Sequence, residues 1–313
     1  MLNYLLKKLM IFLLSILFVI TLTFILMKSI PGDPFISSQE IPKETLAALY
    51  KYYGLDKPLH LQYLKYIKGF LKADLGPSFI YQGRTVNQII RDGFPVSIVL
   101  GLEALSLSIF FGIFFGSLAA LKKNKWQDHF YTIVAIIGIS VPNFLLATFL
   151  QYIFAIKLKI LPVARWDNFL YTILPAISLS ALPTAFIARI IRTNMIEVLE
   201  QDYIKNAYAK GLTHFKVIFR HGLKNALIPI LSYIGPIATY VLTGSFVIEK
   251  IFGIPGLGQW LILSISNRDY TVILGLTVFF SSILITLVFL GDVLTAMLDP
   301  RIKIIPKKLK YEK

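Results

Sequence analysis

Residues 193–229, TNMIEVLEQDYIKNAYAKGLTHFKVIFRHGLKNALIP, form a polar stretch between two apolar ones. The pattern reads as helix, glycine break, helix. Asn194 with Glu197 three residues on makes a capping pair, and Glu197, Glu200 and Asp202 fill the first turns. Lys205 and Lys210 lie toward the C-terminal end, the favourable order for a helix dipole. Gly211 stops this helix, and Thr213 caps the next, which runs to Pro229. A chain that only spans a bilayer has no use for so structured a loop. One that pushes against a soluble partner does.

The flanking sequence sets that loop in a membrane. The chain has 313 residues, of which 56% are apolar, and a mean hydropathy of +0.69. That is too apolar for a soluble domain of this size. Six windows reach the roughly 20 residues needed to cross a hydrocarbon core: 9–27, 96–121, 130–155, 170–188, 227–248 and 270–291. The first, third, fourth and fifth carry no charge, the second carries Glu103, and the sixth lies between Asp269 and Asp292. The expected fold is an all-α membrane protein with six transmembrane helices.

Basic residues orient it. With both termini cytoplasmic, most of the 32 Lys and Arg residues fall in inner segments, among them Lys7, Lys8, Lys122, Lys123, Lys125, Arg189, Arg192 and the six basic residues after Asp299. The short outer segments hold few. The outer loop at 28–94 is too long to weigh in this rule. The 193–229 loop is therefore cytoplasmic. The net charge of +15 is spread over loops that orientation already explains, so nucleic acid is not an expected partner. No cysteine is present, which excludes disulfides and thiol chemistry. The first window follows Lys7-Lys8, and no small-residue cleavage site follows it, so it reads as a retained anchor.

Three regions result. Residues 1–93 give the first span and a long outer loop, 94–303 a core of five spans that includes the 193–229 loop, and 304–313 a basic tail. The outer loop opens on the turn cluster Pro31-Gly32-Asp33-Pro34 and holds two short helices, near 42–53 and 59–73. In the second, Leu64, Ile67 and Leu71 make an apolar stripe with Lys65, Lys68 and Lys72 off it. That pattern suits a cap on the membrane surface or a docking face. Gly112, Gly116 and Ala120 recur every four residues in span two and allow close helix approach. Pro142, Pro175, Pro183, Pro229 and Pro236 each remove a backbone donor and can bend a helix, which suits a bundle that changes shape or one with static kinks. Asn143 and Gln151 are the polar candidates for a pore lining; interhelical hydrogen bonding is the alternative. Glu103 sits early in its span, within reach of the outer interface. In the outer connection 249–269, Gly253, Pro255, Gly256 and Gly258 force turns. Leu257, Leu261, Ile262 and Ile265 then dip back as a short re-entrant helix. Pro255, Gly256, Leu257 and Gly258 are the outer gate candidates.

The chemistry that is missing also narrows the reading. None of the nineteen glycines precedes a lysine, so no phosphate-binding loop exists. His60, His129, His214 and His221 are too scattered for a metal set. No Gly-x-Ser-x-Gly or His-Glu-x-x-His element occurs. The chain is not an expected enzyme, and no metal site or catalytic residue is expected. Gradient-driven carriers place charges midway along their helices, whereas these helix middles are nearly free of charge. Uphill transport would then draw its energy from a partner.

The residues resemble the permease subunits of binding-protein-dependent ABC importers, and within them the first permease of dipeptide and oligopeptide systems. The family's cytoplasmic loop carries an EAA-type motif with a glycine at a fixed position. Here its slot reads Lys205-Asn206-Ala207, three residues, then Gly211, which keeps only the last alanine. The peptide branch's own version is followed closely: Gln201-Asp202-Tyr203-Ile204, Ala207, Ala209-Lys210-Gly211-Leu212, Arg220-His221 and Asn225-Ala226-Leu227-Ile228-Pro229. Gly222 replaces that branch's usual alanine. Matches run along the whole chain, including Gly54-Leu55-Asp56, Asp74-Leu75-Gly76, Pro255-Gly256-Leu257-Gly258, Arg268-Asp269-Tyr270 and Asp299-Pro300-Arg301. An asparagine and a tyrosine usual near the end of the branch are replaced by Val288 and Thr295.

The resemblance implies a type I importer permease fold in a bacterial inner (cytoplasmic) membrane. It implies a second homologous permease subunit, two ABC ATPase subunits that hold ATP and Mg, and an extracytoplasmic substrate-binding protein that delivers a peptide. No cofactor is implied for this chain itself. Tyr203, Ala207, Ala209, Lys210, Gly211, Leu212, Thr213 and Phe215 would form the ATPase-coupling element, a helix seated in a groove of one ATPase. The sequence leaves two alternatives open: import of nickel or another small solute on the same architecture, and a gradient-driven carrier.

Overall fold

The computed structural model describes residues 2–29 and 43–298. The Pro31–Pro34 turn cluster, the Asp299-Pro300-Arg301 match and the basic tail lie outside the described residues. All regular elements among those described are helices. They run α1 (Leu2–Ser29), α2 (Lys43–Tyr53), α3 (Leu59–Leu71), α4 (Val86–Leu121), α5 (Trp126–Ser140), α6 (Asn143–Leu150), α7 (Leu170–Leu199), α8 (Asp202–Ala209), α9 (His214–Lys216), α10 (Lys224–Ala226), α11 (Ile228–Phe252), α12 (Leu257–Ser266) and α13 (Tyr270–Leu298). Two π-helical turns, Gln151–Lys157 and Val217–Leu223, follow α6 and α9.

Four described helices are long and apolar enough to cross a bilayer, and six spans result if each of two bent pairs counts as one. The third span is such a pair. It breaks at Val141-Pro142, and its halves meet at 105°. Pro142 cannot continue the helix, and its backbone at ψ 136° redirects the chain. The bend is far sharper than the kink that sequence alone indicates. Asn143 therefore opens a new helix at the break instead of lying inside a continuous span.

The core is built on a close crossing of α4 and α7. One face of α4 carries buried small residues at Gly93, Ser97, Gly101, Ala104, Ser108, Gly112 and Gly116. A Cβ on Gly112 would lie 2.6 Å from Ile187 Cβ, and one on Gly116 would lie 2.5 Å from the Ala188 carbonyl oxygen. Only glycine lets the two backbones come this near. Ser108 Oγ adds a donor, 2.6 Å from the Ala104 carbonyl and 3.3 Å from that of Ser180. Leu100, Leu179, Ile187 and Ile191 fill the seam, together with Val241 and Ile248 from α11. A second cluster, of Val86, Ile89, Leu257, Val272 and Leu276, closes the opposite end of α4 against α12 and α13.

One local reading fails. Asn194 and Glu197 do not cap a helix. Both lie inside α7, which continues through this segment to Leu199. The burial of Met195 against Ala120, Ile218 and Ala226 carries the helix past the expected boundary. Tertiary packing outweighs the local capping signal here. The following helix is also less regular than expected, since the turn Val217–Leu223, which contains Gly222, is π-helical.

Replacing Gly116 with leucine should force α4 and α7 apart and cost about 1–3 kcal/mol or more. The thermal unfolding midpoint of the detergent-solubilised chain should fall by several degrees. An unchanged midpoint would show that this seam is not packed as described.

Candidate functional site

The 193–229 stretch folds into a compact elbow at the inner face. Gln201 has extended backbone and starts α8, and Asp202 stands in its first turn, favourable for the dipole. Lys205 Nζ lies 2.8 Å from Asp202 Oδ1. The Lys205 ammonium, through that hydrogen bond, holds the Asp202 carboxyl below its ordinary range. The pair is fully exposed and stabilises little. Burial matters more: Ile204, Ala207 and Val217 form a small core with Val198, Leu199 and Leu212 packed on it.

The helix ends as its glycine requires. Gly211 adopts φ +78°, the left-handed region that L side chains avoid. Its N–H donates to the Tyr208 carbonyl at 2.9 Å, and the Leu212 N–H donates to the Ala207 carbonyl at 3.3 Å. Those two bonds, with the Leu212–Ala207 contact, make a Schellman C-cap. Thr213 then starts α9 with extended backbone, though its side chain makes no capping bond. The turn fixes the angle between the two arms of the elbow.

What faces outward is apolar and basic. Phe215 is 68% exposed and Phe219 52%, with ring centroids 4.3 Å apart. Tyr203 and Tyr208 are also exposed. The Tyr208 hydroxyl bonds His214 Nδ1 at 2.7 Å, and Asn225 Nδ2 donates to the Tyr203 hydroxyl at 2.9 Å. Lys205, Ala209, Lys210, Lys216 and Arg220 surround them, all exposed. Of the eight expected coupling residues, Tyr203, Ala209, Lys210, Gly211, Thr213 and Phe215 are exposed, Leu212 is half-buried, and Ala207 points into the elbow's own core. Ala207 positions the surface without belonging to it. Exposed aromatic rings clustered in this way make the elbow the candidate interaction surface.

Ion pairs tie the elbow to the bundle. Lys123 Nζ, just past α4, lies 2.6 Å from Glu200 Oε1 at the start of the elbow. Arg192 on α7 grips Asp128 on α5 with two bonds, Nε to Oδ1 at 2.6 Å and a terminal nitrogen to Oδ2 at 2.7 Å. Asp128 is buried, and the Asn124 N–H also donates to it, at 2.9 Å. A bidentate pair of this kind fixes geometry as well as charge. The sequence pattern assigned Asp128 no role and placed Glu200 only in the first turns of a helix.

The outer end has its own lock. Glu249, near the end of α11, is fully buried. Ser97 Oγ donates to its Oε1 at 2.8 Å and the Gly258 N–H to its Oε2 at 2.8 Å. Ser97 Oγ also accepts from the Leu257 N–H at 2.9 Å. These groups satisfy the free donors at the start of α12. The gate candidates divide accordingly: Pro255 is exposed, whereas Gly256, Leu257 and Gly258 are buried. A Cβ on Gly256 would strike the Glu249 carboxylate and lie 2.6 Å from Ser97 Oγ, and one on Gly258 would lie 2.5 Å from Phe246 Cα. Nearby, buried Asp269 accepts from Ser78 Oγ, from the Phe79 N–H at 3.2 Å and from the Ile80 N–H at 3.3 Å. It also caps α13 through the Val272 N–H at 3.3 Å. The outer loop is thus pinned to the last span.

The pore candidates occupy different places. Gln151 Nε2 donates to the Val163 carbonyl at 2.7 Å, which holds the outer connection after the π turn. Asn143 is half-buried beside the break in the third span. Glu103 has one buried carboxylate oxygen, Oε2, with no hydrogen-bond partner among the described residues.

A bent helical bundle, an inner elbow and a locked outer turn describe a multi-pass membrane protein. Comparison with known proteins is more specific. Residues 112–304 match the binding-protein-dependent transport system inner membrane component family, and residues 1–101 match its N-terminal component. The chain belongs to this family. It is 45% identical over 304 residues to the dipeptide transport system permease protein DppB of Bacillus subtilis (strain 168), covering 97% of this chain and 99% of that protein. It is 40% identical over 305 residues to the oligopeptide transport system permease protein OppB of Haemophilus influenzae, covering 97% of this chain and all (100%) of the other. Two solved structures share the fold. A MetNI methionine ABC transporter in an inward-facing conformation aligns with a TM-score of 0.58 at 16% identity, over 67% of this chain and 96% of its own. An amino acid ABC transporter aligns at 0.53 and 17% identity, over 67% and 94%.

Replacing Glu249 with alanine should strand the Gly258 N–H and Ser97 in a buried site, at about 1–3 kcal/mol for each group left unpaired. The unfolding midpoint should drop well below that of wild type, and Gly256→Ala should lower it too. A Glu249→Ala variant that melts like wild type would show that the carboxylate does not hold the hairpin.

Proposed function

We propose that this chain forms part of the translocation pore of an ATP-driven importer for di- and oligopeptides in a bacterial inner membrane. A second, homologous permease would complete the pore. Two ATPase subunits, with ATP and Mg bound in them, would sit under the inner face. An extracytoplasmic binding protein would deliver the peptide to the outer face. The observation that carries this reading is the elbow: an exposed aromatic and basic surface, capped at Gly211 and packed rigidly onto the inner end of the bundle.

In this reading Tyr203, Tyr208 and Phe215 insert into a groove on one ATPase, with Lys205 and Lys210 at the rim. Closure of the ATPases on nucleotide pushes the elbow. Because α7 and α11 run from the elbow to the outer side, the push reaches the Pro255–Gly258 hairpin, which moves as one block with Glu249 and Ser97. Asn143 is the stronger pore-lining candidate, since the Gln151 amide already donates to Val163. The peptide substrate is inferred from the functions named for the relatives. The sequence holds no phosphate-binding loop, which supports placing hydrolysis in the partners.

Gly211→Val tests the elbow. A Cβ there meets nothing within 4 Å, so the chain should still fold into the membrane. The left-handed φ would cost a β-branched residue about 1–2 kcal/mol and tilt the arms. Peptide uptake by the reconstituted complex should fall about tenfold while ATP hydrolysis continues, and Gly211→Asn should lose less, because asparagine tolerates this backbone. Normal uptake with Gly211→Val would contradict the lever. The chain purified alone should hydrolyse no ATP above background.

A further inference from the structure

Four lysines surround one cavity at the outer boundary of the membrane. The cavity has a volume of about 820 Å³, and Lys28, Lys65, Lys68, Lys72 and Tyr66 lie on its wall. Lys65 and Lys68 share one face of α3 by helical spacing, and Lys72 is its C-cap. Lys28 comes from the outer end of α1. None of the four lysines forms an ion pair among the described residues. Lys65 Nζ donates to the Tyr53 carbonyl at 3.2 Å. Asp74, the one acid on the described wall, has Oδ1 engaged by the Gly76 N–H at 3.0 Å. The Tyr66 hydroxyl is buried and has no hydrogen-bond partner among the described residues. Burial pushes its phenol above the ordinary range, so it remains a donor. A buried hydroxyl without a partner is costly, and an anionic oxygen would satisfy it.

The position selects the class of anion. The Thr21 and Tyr63 hydroxyls lie 2.6 Å apart, and the Phe24 ring lies 5.3 Å from that of Tyr63. Helix α3 therefore leans on α1 about two turns inside its outer end. With 28 residues, α1 outruns a hydrocarbon core of about 30 Å, so Lys28 stands at headgroup level. Just below it, Leu22, Ile25 and Leu26 are exposed, as are Leu61 and Leu64 on α3. Phe24, Met27 and Leu274 give the cavity an apolar wall. A soluble anion would use the lysines and leave the apolar surface idle. A lipid uses both.

We propose that this cavity binds the headgroup of an anionic phospholipid from the outer leaflet. Lys28, Lys68, Lys72 and the Tyr66 hydroxyl hold the phosphate, and the acyl chains lie along Leu22, Ile25 and Leu26. The bound lipid fastens the outer loop to the first span.

Native mass spectrometry of the purified full-length chain tests this, with phosphatidylglycerol and phosphatidylcholine of identical acyl chains as probes. Phosphatidylglycerol should be retained at least fivefold better. The triple variant Lys28→Gln/Lys68→Gln/Lys72→Gln should erase that preference, since each basic residue near a membrane surface contributes about a fivefold factor. The corresponding triple arginine variant should keep it. Tyr66→Phe should weaken phosphatidylglycerol retention several-fold without lowering the unfolding midpoint. This variant decides the question if the glutamine variant does not accumulate. Equal retention of the two lipids, or an unchanged preference in Tyr66→Phe together with whichever lysine variants accumulate, would overturn the proposal. Displacement of phosphatidylglycerol by millimolar inorganic phosphate would also overturn it, because the ligand would then be a soluble anion.

Discussion

The near contact of α4 and α7 carries the rest of the structure. Gly112 and Gly116 let the backbones meet where any side chain would collide with Ile187 or the Ala188 carbonyl. In a bilayer no hydrophobic effect drives helices together, so close packing and interhelical hydrogen bonds must do it. The seam supplies both, with Ser108 reaching the Ser180 carbonyl. Because α7 is one helix from Leu170 to Leu199, its inner end is held wherever the seam holds it. The elbow begins two residues later.

Three devices then make the elbow part of the bundle. The Lys123–Glu200 and Arg192–Asp128 pairs fasten the inner ends of α4, α5 and α7. Met195, Ile218 and Ala226 pack beneath the returning arm. The Schellman turn at Gly211 sets the angle of the tip. From Ile228, α11 runs 25 residues to Phe252, bends by 60° between Leu231 and Tyr233, and carries the buried Glu249 near its outer end. The two faces of the membrane are joined by α7 and by the bent α11, and each end is fixed by its own network.

Much of this was legible in the sequence because the signals are local or periodic. The spans follow from runs of apolar residues, and the stop at Gly211 follows from the intolerance of other residues for its backbone. The four-residue spacing of Gly112 and Gly116 announced a close crossing. The short outer helices, expected near 42–53 and 59–73, appear as Lys43–Tyr53 and Leu59–Leu71. The misses have a common cause. Ser97 and Glu249 are 152 residues apart, and Ser78 and Asp269 are 191 apart. No local pattern pairs residues at such separations. Asn194 and Glu197 mimicked a cap because the burial of Met195, which extends α7, depends on residues from α4, the Val217–Leu223 turn and α10. Pro142 gave away the existence of a bend but not its angle, which the packing of the two halves decides.

The most direct test asks whether the elbow and the seam move as one body. The chain contains no cysteine, so paired labels can be placed without background from it. With spin labels at Lys122→Cys and Ala209→Cys, electron–electron distance distributions would be recorded in the assembled complex, with and without trapped nucleotide. The account predicts the same distribution in both states, to within about 2 Å. A shift on the order of one helical turn, about 5 Å, would show that the elbow slides on the bundle, and would contradict it.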